Sequence, residues 1–365
     1  MRYMVIFKEW YYYREGKTIM THYSGYIGTY TKGDSKGVYG FTLNTETGEI
    51  TDIKAEAQLG NPTYVTVSAD HQYLYAVKKD GDMGGVAGYS ITGDTNGLSH
   101  LKSQVTEGAS PCHVSVDSKN KHVVTANYHR GTVELFAVDN EEGGIQPVAS
   151  VAQLEGNGPH ERQEKPHTHY AGFTPDEKYI VAVDLGIDQI ITYDYSNDTL
   201  KEVHTLHVKP GSGPRHITFH PNGKYAYVMT EISSEVIVLS YNEEDGSFQV
   251  LQTISTIPED FTENNQGSAI HISADGCFVY AGNRGHNSIA VFSVSDQGQL
   301  TLVDITSTEG DWPRDFALDP SQKFILAANE QSSSLVLFSR DEHTGKLSLK
   351  YKDAYVPYPV CVKFL

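Results

Sequence analysis

The stretch Gly213–Glu231, GPRHITFHPNGKYAYVMTE, reads as a strand, a tight turn at Asn222 and Gly223, and a second strand. Apolar and polar residues alternate on both sides of a dipeptide suited to the positive φ of a hairpin turn. The chain repeats this grammar. NPTYVTVSADHQYLYAVKK (61–79), SPCHVSVDSKNKHVVTANY (110–128), KPHTHYAGFTPDEKYIVAVDL (165–185), QGSAIHISADGCFVYAGNR (266–284) and WPRDFALDPSQKFILAANE (312–330) follow the same order, and YPVCVKFL (358–365) supplies a last opening strand. The opening positions are Pro62, Pro111, Pro166, Pro214, Gly267, Pro313 and Pro359, at intervals of 49, 55, 48, 53, 46 and 46 residues.

Two further apolar runs separate successive copies, as in SEVIVLSY and FQVLQTIST on either side of NEEDGS, so each unit holds four strands. Four strands at this period predict an all-β, seven-bladed β-propeller of antiparallel blades. The last unit is split: VCVKFL at the C-terminus pairs with GYIGTYTK, KGVYGFTL and ITDIKAEAQ near the N-terminus, closing the ring and removing open sheet edges. Two β-sandwiches would use strands of the same length, but seven copies in order argue for one domain over residues 21–365. The recurring signature of WD-repeat scaffolds is missing: Trp-Asp does not occur and Gly-His occurs once, at Gly285 and His286. Residues 1–20 stand outside the pattern. They read as an appendage, either disordered or, over residues 1–19, a translated leader ahead of a start at Met20.

Composition fits this reading. In 365 residues there are 24 Tyr, 33 Gly and 5 Met, with 39% hydrophobic and 20% charged residues, which favours strands and turns around a packed core. The net charge of -18 repels nucleic acid and anionic membranes, although local arginines can still gather a small anion within a Debye length of about 8 Å. No apolar run reaches the roughly 20 residues of a membrane span, so no membrane partner is expected. Cys112, Cys277 and Cys361 include no CxxC pair, which points to neither a disulfide framework nor a thiolate metal site and suits the cytoplasm.

In a hairpin the start of one strand lies beside the end of the next, so Arg215 is expected next to Glu231 and Arg314 next to Glu330. His167 is the matching residue when Pro166 opens its unit. Stacking the units gathers His167, Arg215, Glu231, Arg284, Arg314 and Glu330 at the mouth of the central channel. Either these are a binding constellation, or they are cross-strand ion pairs worth about 0.2–1 kcal/mol each; His167 and an unpaired Arg284 favour the former. His160, His167 and His169 show no familiar metal spacing, and no metal or cofactor is expected. Cys112 reads as a small buried hydrophobe. GDMGGVAG and GSGPRH precede no amphipathic helix, so they are loops and not phosphate cradles.

YIGTYTKGDSKGVYGFTLNTETG, KPHTHYAGFTPDEKYIVAVDLGIDQI, GPRHITFHPNGKYAYVMTE, AGNRGHNSIAVFSV and WPRDFALDPSQKFILAANE resemble the lactonase family of seven-bladed propellers, from about Tyr23 to Leu365. That family spans bacterial propeller-type 6-phosphogluconolactonases and fungal carboxymuconate lactonizing enzymes. The resemblance implies a metal-independent site whose Pro-His-x-His histidine falls on His167, with Arg215, Glu231 and Arg284 beside it. It also implies that relatives divide between opening and closing a lactone.

On this basis His167 is expected to serve as general base toward water. Glu231 would orient it or take the proton itself, and Arg215 and Arg284 would hold a phosphate and the oxyanion. Arg314, Asn283, His216 and His169 are further binding candidates. The expected substrate is an anionic lactone, 6-phosphoglucono-1,5-lactone first; the alternatives are a lactonizing isomerase acting on a carboxylated muconate and a non-catalytic propeller.

Overall fold

The computed structural model describes residues 11–14, 17–93, 96–139 and 143–365, with side chains from Thr21 onward. It is a ring of seven four-stranded antiparallel sheets, each running outward from the central channel in chain order. Blade 1 is the split unit: Pro359–Phe364 is innermost, followed by His22–Thr29, Gly37–Asn44 and Glu49–Gln58. The innermost strands of blades 2 to 7 are Val65–Val67, His113–Val116, Thr168–Phe173, Pro214–Phe219, Gln266–Ile272 and Pro313–Leu318. The ring closure therefore follows the expected pairing, with Ile27 opposite Val362 and Gly28 opposite Cys361.

Burial follows position in the blade. Third strands are sandwiched between neighbouring sheets and nearly continuously buried, as in Glu235–Tyr241, whereas the outer strand Phe248–Ser255 exposes most of its residues. Seven apolar clusters fill the seven interfaces between adjacent blades. Each fully buried aliphatic or aromatic side chain there contributes about 1.5–3 kcal/mol. Several second-strand tyrosines bridge to the next blade. Tyr26, Tyr75, Tyr227 and Tyr280 donate their hydroxyls to the carbonyls of Asn96, Gly143, Gly298 and Gly345 at 2.8, 3.2, 3.1 and 3.0 Å. A buried tyrosine needs such an acceptor for its O–H, and the repeat supplies one in the neighbour's outer turn.

One register differs from expectation. Ser68, Asp117, Thr174, His220, Ser273 and Asp319 begin the inner turns, each donating its N–H to a carbonyl five residues on. In blades 2, 3, 5, 6 and 7 this residue lies six positions after Pro62, Pro111, Pro214, Gly267 and Pro313. In blade 4 the sixth position before Thr174 is Thr168, not Pro166. Pairing agrees: Thr168 faces Asp184 as Pro214 faces Thr230 and Pro313 faces Asn329.

Part of the N-terminal appendage lies outside the described residues. Tyr11–Arg14 pairs with Lys17–Met20 as a separate two-stranded ribbon. No helix among the described residues is long and apolar enough to cross a membrane.

Candidate active site

A β-bulge follows each opening position in blades 4 to 7, where the register slips between Thr168 and Tyr170, Pro214 and His216, Gly267 and Ile270, and Pro313 and Asp315. The extra residue leaves the ladder and is re-aimed. Carried round the ring, that position holds Val360, Thr63, Cys112, His169, Arg215, Ser268 and Arg314. The residue just past the second strand's matching end is Tyr30, Lys79, Tyr128, Leu185, Glu231, Arg284 or Glu330. Eleven of these fourteen residues line one cavity of about 390 Å³ at the channel mouth, together with Asn61, His129, Arg162, His216, Gln266 and Asp315 among others.

The centre of the cavity wall is Glu231, 3% exposed. Its Oε2 accepts from Arg215 Nε at 3.0 Å and from Arg284 Nη2 at 2.6 Å, and its Oε1 accepts from Arg162 Nη2. Arg215 Nη1 also donates to the Ser268 carbonyl at 2.7 Å, and Arg284 Nη2 to the Gly267 carbonyl at 2.7 Å. Arg284, expected to be unpaired, is thus held on the same carboxylate as Arg215, because adjacent blades present both guanidinium groups to it. Burial alone would raise the Glu231 carboxyl, but Arg284 and Arg215, followed by His169 and Arg162, hold it well below the ordinary carboxylate range.

Backbone geometry places this group. Gly213 has φ +60° and would bring a Cβ within 2.6 Å of Ile232. It donates to Asp188 Oδ1 at 2.8 Å and accepts from Glu231 N–H at 2.7 Å. Glycine takes this φ without strain and spares the Ile232 side chain a clash, and the turn it makes launches Pro214 and the bulged Arg215.

The histidines exchange roles relative to the sequence reading. His167 accepts Leu185 N–H through its carbonyl, the place taken by Gly213 toward Glu231 and by Trp312 toward Glu330, so it precedes the opening strand. It does not line the cavity. Its ring is stacked on Tyr128 at 4.2 Å, with Nδ1 2.9 Å from the Tyr128 carbonyl and Nε2 3.1 Å from Glu164 Oε2. Both nitrogens face acceptor oxygens, and the Tyr128 side chain belongs to the cavity wall. His169, on the bulge, lines the cavity instead, with its ring 5.7 Å from that of Tyr128 in a T-shaped contact and 5.1 Å from that of His216. The bulge breaks the period-2 alternation that would have put His167 and His169 on one face. Burial and then Arg215 push His169 well below its ordinary value, against the pull of Glu231, so it is neutral near pH 7.

The remaining expected residues divide. Arg314 and His216 line the cavity. Asn283 does not: its amide is spent on Thr256 Oγ1 at 2.7 Å, the Thr256 carbonyl at 2.9 Å and Ser288 Oγ at 3.3 Å. Arg314 lies 3.8 Å from Glu330 Oε2, in the expected cross-strand pairing but beyond hydrogen-bond reach. Burial pushes the Cys112 thiol up to about 12, which fits an inert side chain at the cavity wall. Among the described residues no three His, Cys, Asp or Glu are grouped to hold a metal; His160 uses Nδ1 to accept from Arg162 N–H at 3.1 Å.

The family description "Lactonase, 7-bladed beta-propeller" matches residues 24–364. The chain belongs to this lactonase family. It is 55% identical over 347 residues, covering 95% of this chain and 99% of its relative, to the 6-phosphogluconolactonase of Bacillus subtilis strain 168. Among solved lactonase-fold structures, a Lactobacillus plantarum protein superposes with a TM-score of 0.91 at 40% identity, over 94% of this chain and 99% of that one. The periplasmic gluconolactonase of Pseudomonas aeruginosa gives 0.88 at 29% identity, over 94% and 99%.

Tyr30, Lys79, Tyr128 and Arg162 are among the cavity residues that escaped the sequence reading. Tyr30, Lys79 and Tyr128 occupy the repeat position of Glu231, so carrying the register through all seven blades finds them. Arg162 lies in the long segment between Gln153 and Thr168, outside the strand repeat, and only the folded chain brings it to Glu231.

Proposed function

We propose that this chain hydrolyses 6-phosphoglucono-1,5-lactone to 6-phosphogluconate. The observation that carries the reading is the convergence of His169, Arg215 and Arg284 around Glu231 in one cavity. Five basic side chains there, Lys79, Arg162, Arg215, Arg284 and Arg314, face two carboxylates, Glu231 and Asp315, which suits an anion despite the acidic whole. The volume lies within the roughly 300–1,000 Å³ of small-molecule pockets. The name carried by the 55% identical relative supports the same substrate.

In this reading water attacks the lactone carbonyl, the ring C–O bond breaks, and the product is the ring-opened acid. His169, not His167, receives the water proton: its neutral imidazole belongs to the cavity lining, and negative charge building on the lactone raises its basicity during the step. Arg215 and Arg284 face the developing oxyanion. Glu231 keeps those guanidinium groups fixed; with both oxygens engaged and its pKa depressed, it is a poor proton acceptor. Three free cysteines suit a reducing compartment, and we place the enzyme in the cytoplasm, feeding the pentose phosphate route.

Acid release from freshly made 6-phosphoglucono-1,5-lactone, corrected for the spontaneous reaction, tests the proposal. A rate proportional to enzyme concentration is expected. Background-level release, with cycloisomerisation of a carboxylated muconate in its place, would transfer the site to the lactonizing branch of the chemistry.

A further inference from the structure

The two oxygens of Glu231 are held by arginines of different standing. Arg215 and Arg284, each with a 3% exposed side chain, stand on strands of blades 5 and 6 and share Oε2 at 3.0 and 2.6 Å. Oε1 has one partner among the described residues, Arg162 Nη2. That side chain is 32% exposed, and it comes from residues 154–167, the longest of the connections that lead from one blade to the next. Gln163 anchors this connection. It is fully buried, donates Nε2 to the Leu185 carbonyl at 2.8 Å and accepts the Gly158 N–H on its own carbonyl at 2.8 Å. Lys165 Nζ adds a tie to the His129 carbonyl at 2.9 Å. Arg162, next to the anchor, is thus carried to Glu231 by a fixed connection and not by a sheet.

Where water attacks a lactone, a carboxylate oxygen can hold a guanidinium or take the water's proton. Oε2 is committed to two buried arginines. Oε1 meets the one arginine of the three that reaches solvent, and Arg162, Glu231 and His169 line the same cavity. His169 and Glu231 are near enough for each to shift the other's titration. A bare Oε1 would therefore be a second proton acceptor beside His169. Within the lactone-hydrolase reading, on which this rests, we propose that Arg162 caps Oε1, so that Glu231 only holds arginines and His169 alone takes the proton. Arg162 is then a positioning residue that decides which of two groups is the base. The water oxygen bonds to the carbonyl carbon, and one water proton goes to His169 and on to the ring oxygen as its bond to that carbon breaks. With the cap removed, Glu231 Oε1 takes and returns the same proton.

Background-corrected hydrolysis of 6-phosphoglucono-1,5-lactone by His169→Ala, alone and combined with Arg162→Met or Arg162→Lys, tests the cap, with folding checked by the thermal midpoint. Methionine removes the charge, and lysine keeps a cation for Oε1. His169→Ala with Arg162→Met is expected to turn over about tenfold faster than His169→Ala alone, because the freed Glu231 takes over the proton. The lysine combination should show no gain. A merely structural role for Arg162 would make both combinations slower. No gain with methionine, or an equal gain with lysine, overturns the cap and leaves the hydrolase reading intact. If the wild type opens no lactone, or His169→Ala matches it, the catalytic reading fails on its own; in that case, or if His169→Ala does not fold, urea unfolding of Arg162→Met against pH decides. Its stability should fall less steeply than that of the wild type below about pH 4.5, since the folded pKa of Glu231 moves back toward its ordinary value. An unchanged slope overturns the cap.

Discussion

Replacing Glu231 with glutamine is expected to lower folding stability by about 3–5 kcal/mol, the cost of breaking a buried ion group by removing one partner. It should also depress kcat/KM by roughly a thousandfold. Three guanidinium groups converge on this carboxylate. Without its charge they repel one another, so Arg215 and Arg284 would swing from the positions that face the oxyanion. Two measurements check this: urea unfolding at neutral pH, and background-corrected lactone hydrolysis. A glutamine variant as stable and as active as the wild type would show that the carboxylate organises nothing.

The same carboxylate gives stability an acid limb of known sign. Its folded pKa is held below the ordinary 4.5, so the unfolded chain takes up its proton first as the pH falls. The stabilisation is complete above the ordinary value and is lost as the pH drops through the folded one. Wild-type unfolding free energy should therefore fall below about pH 4.5 more steeply than that of Glu231→Gln.

His169→Ala is expected to reduce kcat by about 10²- to 10⁴-fold, the usual contribution of a positioned general base, whereas His167→Ala should leave kcat within a few-fold. The two imidazoles are equally buried, each 4% exposed, so burial does not separate them. Position does. His169 is the bulged residue that enters the cavity, while His167 sits behind the Tyr128 ring with both nitrogens against acceptors. The His167 variant is expected to lose thermal stability instead, since it removes the ring's polar contacts to the Tyr128 carbonyl and Glu164 and its stacking on Tyr128. A large kcat loss in His167→Ala with an active His169→Ala would reverse the assignment.

The propeller was legible because its signal is redundant: six hairpins of one grammar and a seventh opening strand, Pro359–Phe364, whose partner is the strand ending at Thr29. The face on which the polar residues collect was legible for the same reason, since hairpin geometry alone puts Arg215 beside Glu231. What misled was local. Pro166 imitates the prolines that open other blades, and it set the blade 4 register two residues early. The turn residue Thr174 carried the correction, because the spacing from opening position to turn is six in the other blades with a described inner turn. Hairpin counting could not show that Arg284 reaches across a blade boundary to Glu231, nor that Arg162 closes over it from an unrepeated segment. Such contacts depend on how neighbouring sheets sit against each other, which strand periodicity does not encode.

The most direct test of the central claim is a crystal structure with the product, 6-phosphogluconate, bound. Difference density is expected at the channel mouth, with the C1 carboxylate within about 3 Å of His169 and Arg215 and His167 untouched behind Tyr128. Density elsewhere on the ring, or a product carboxylate resting on His167 with His169 left in water, would contradict it.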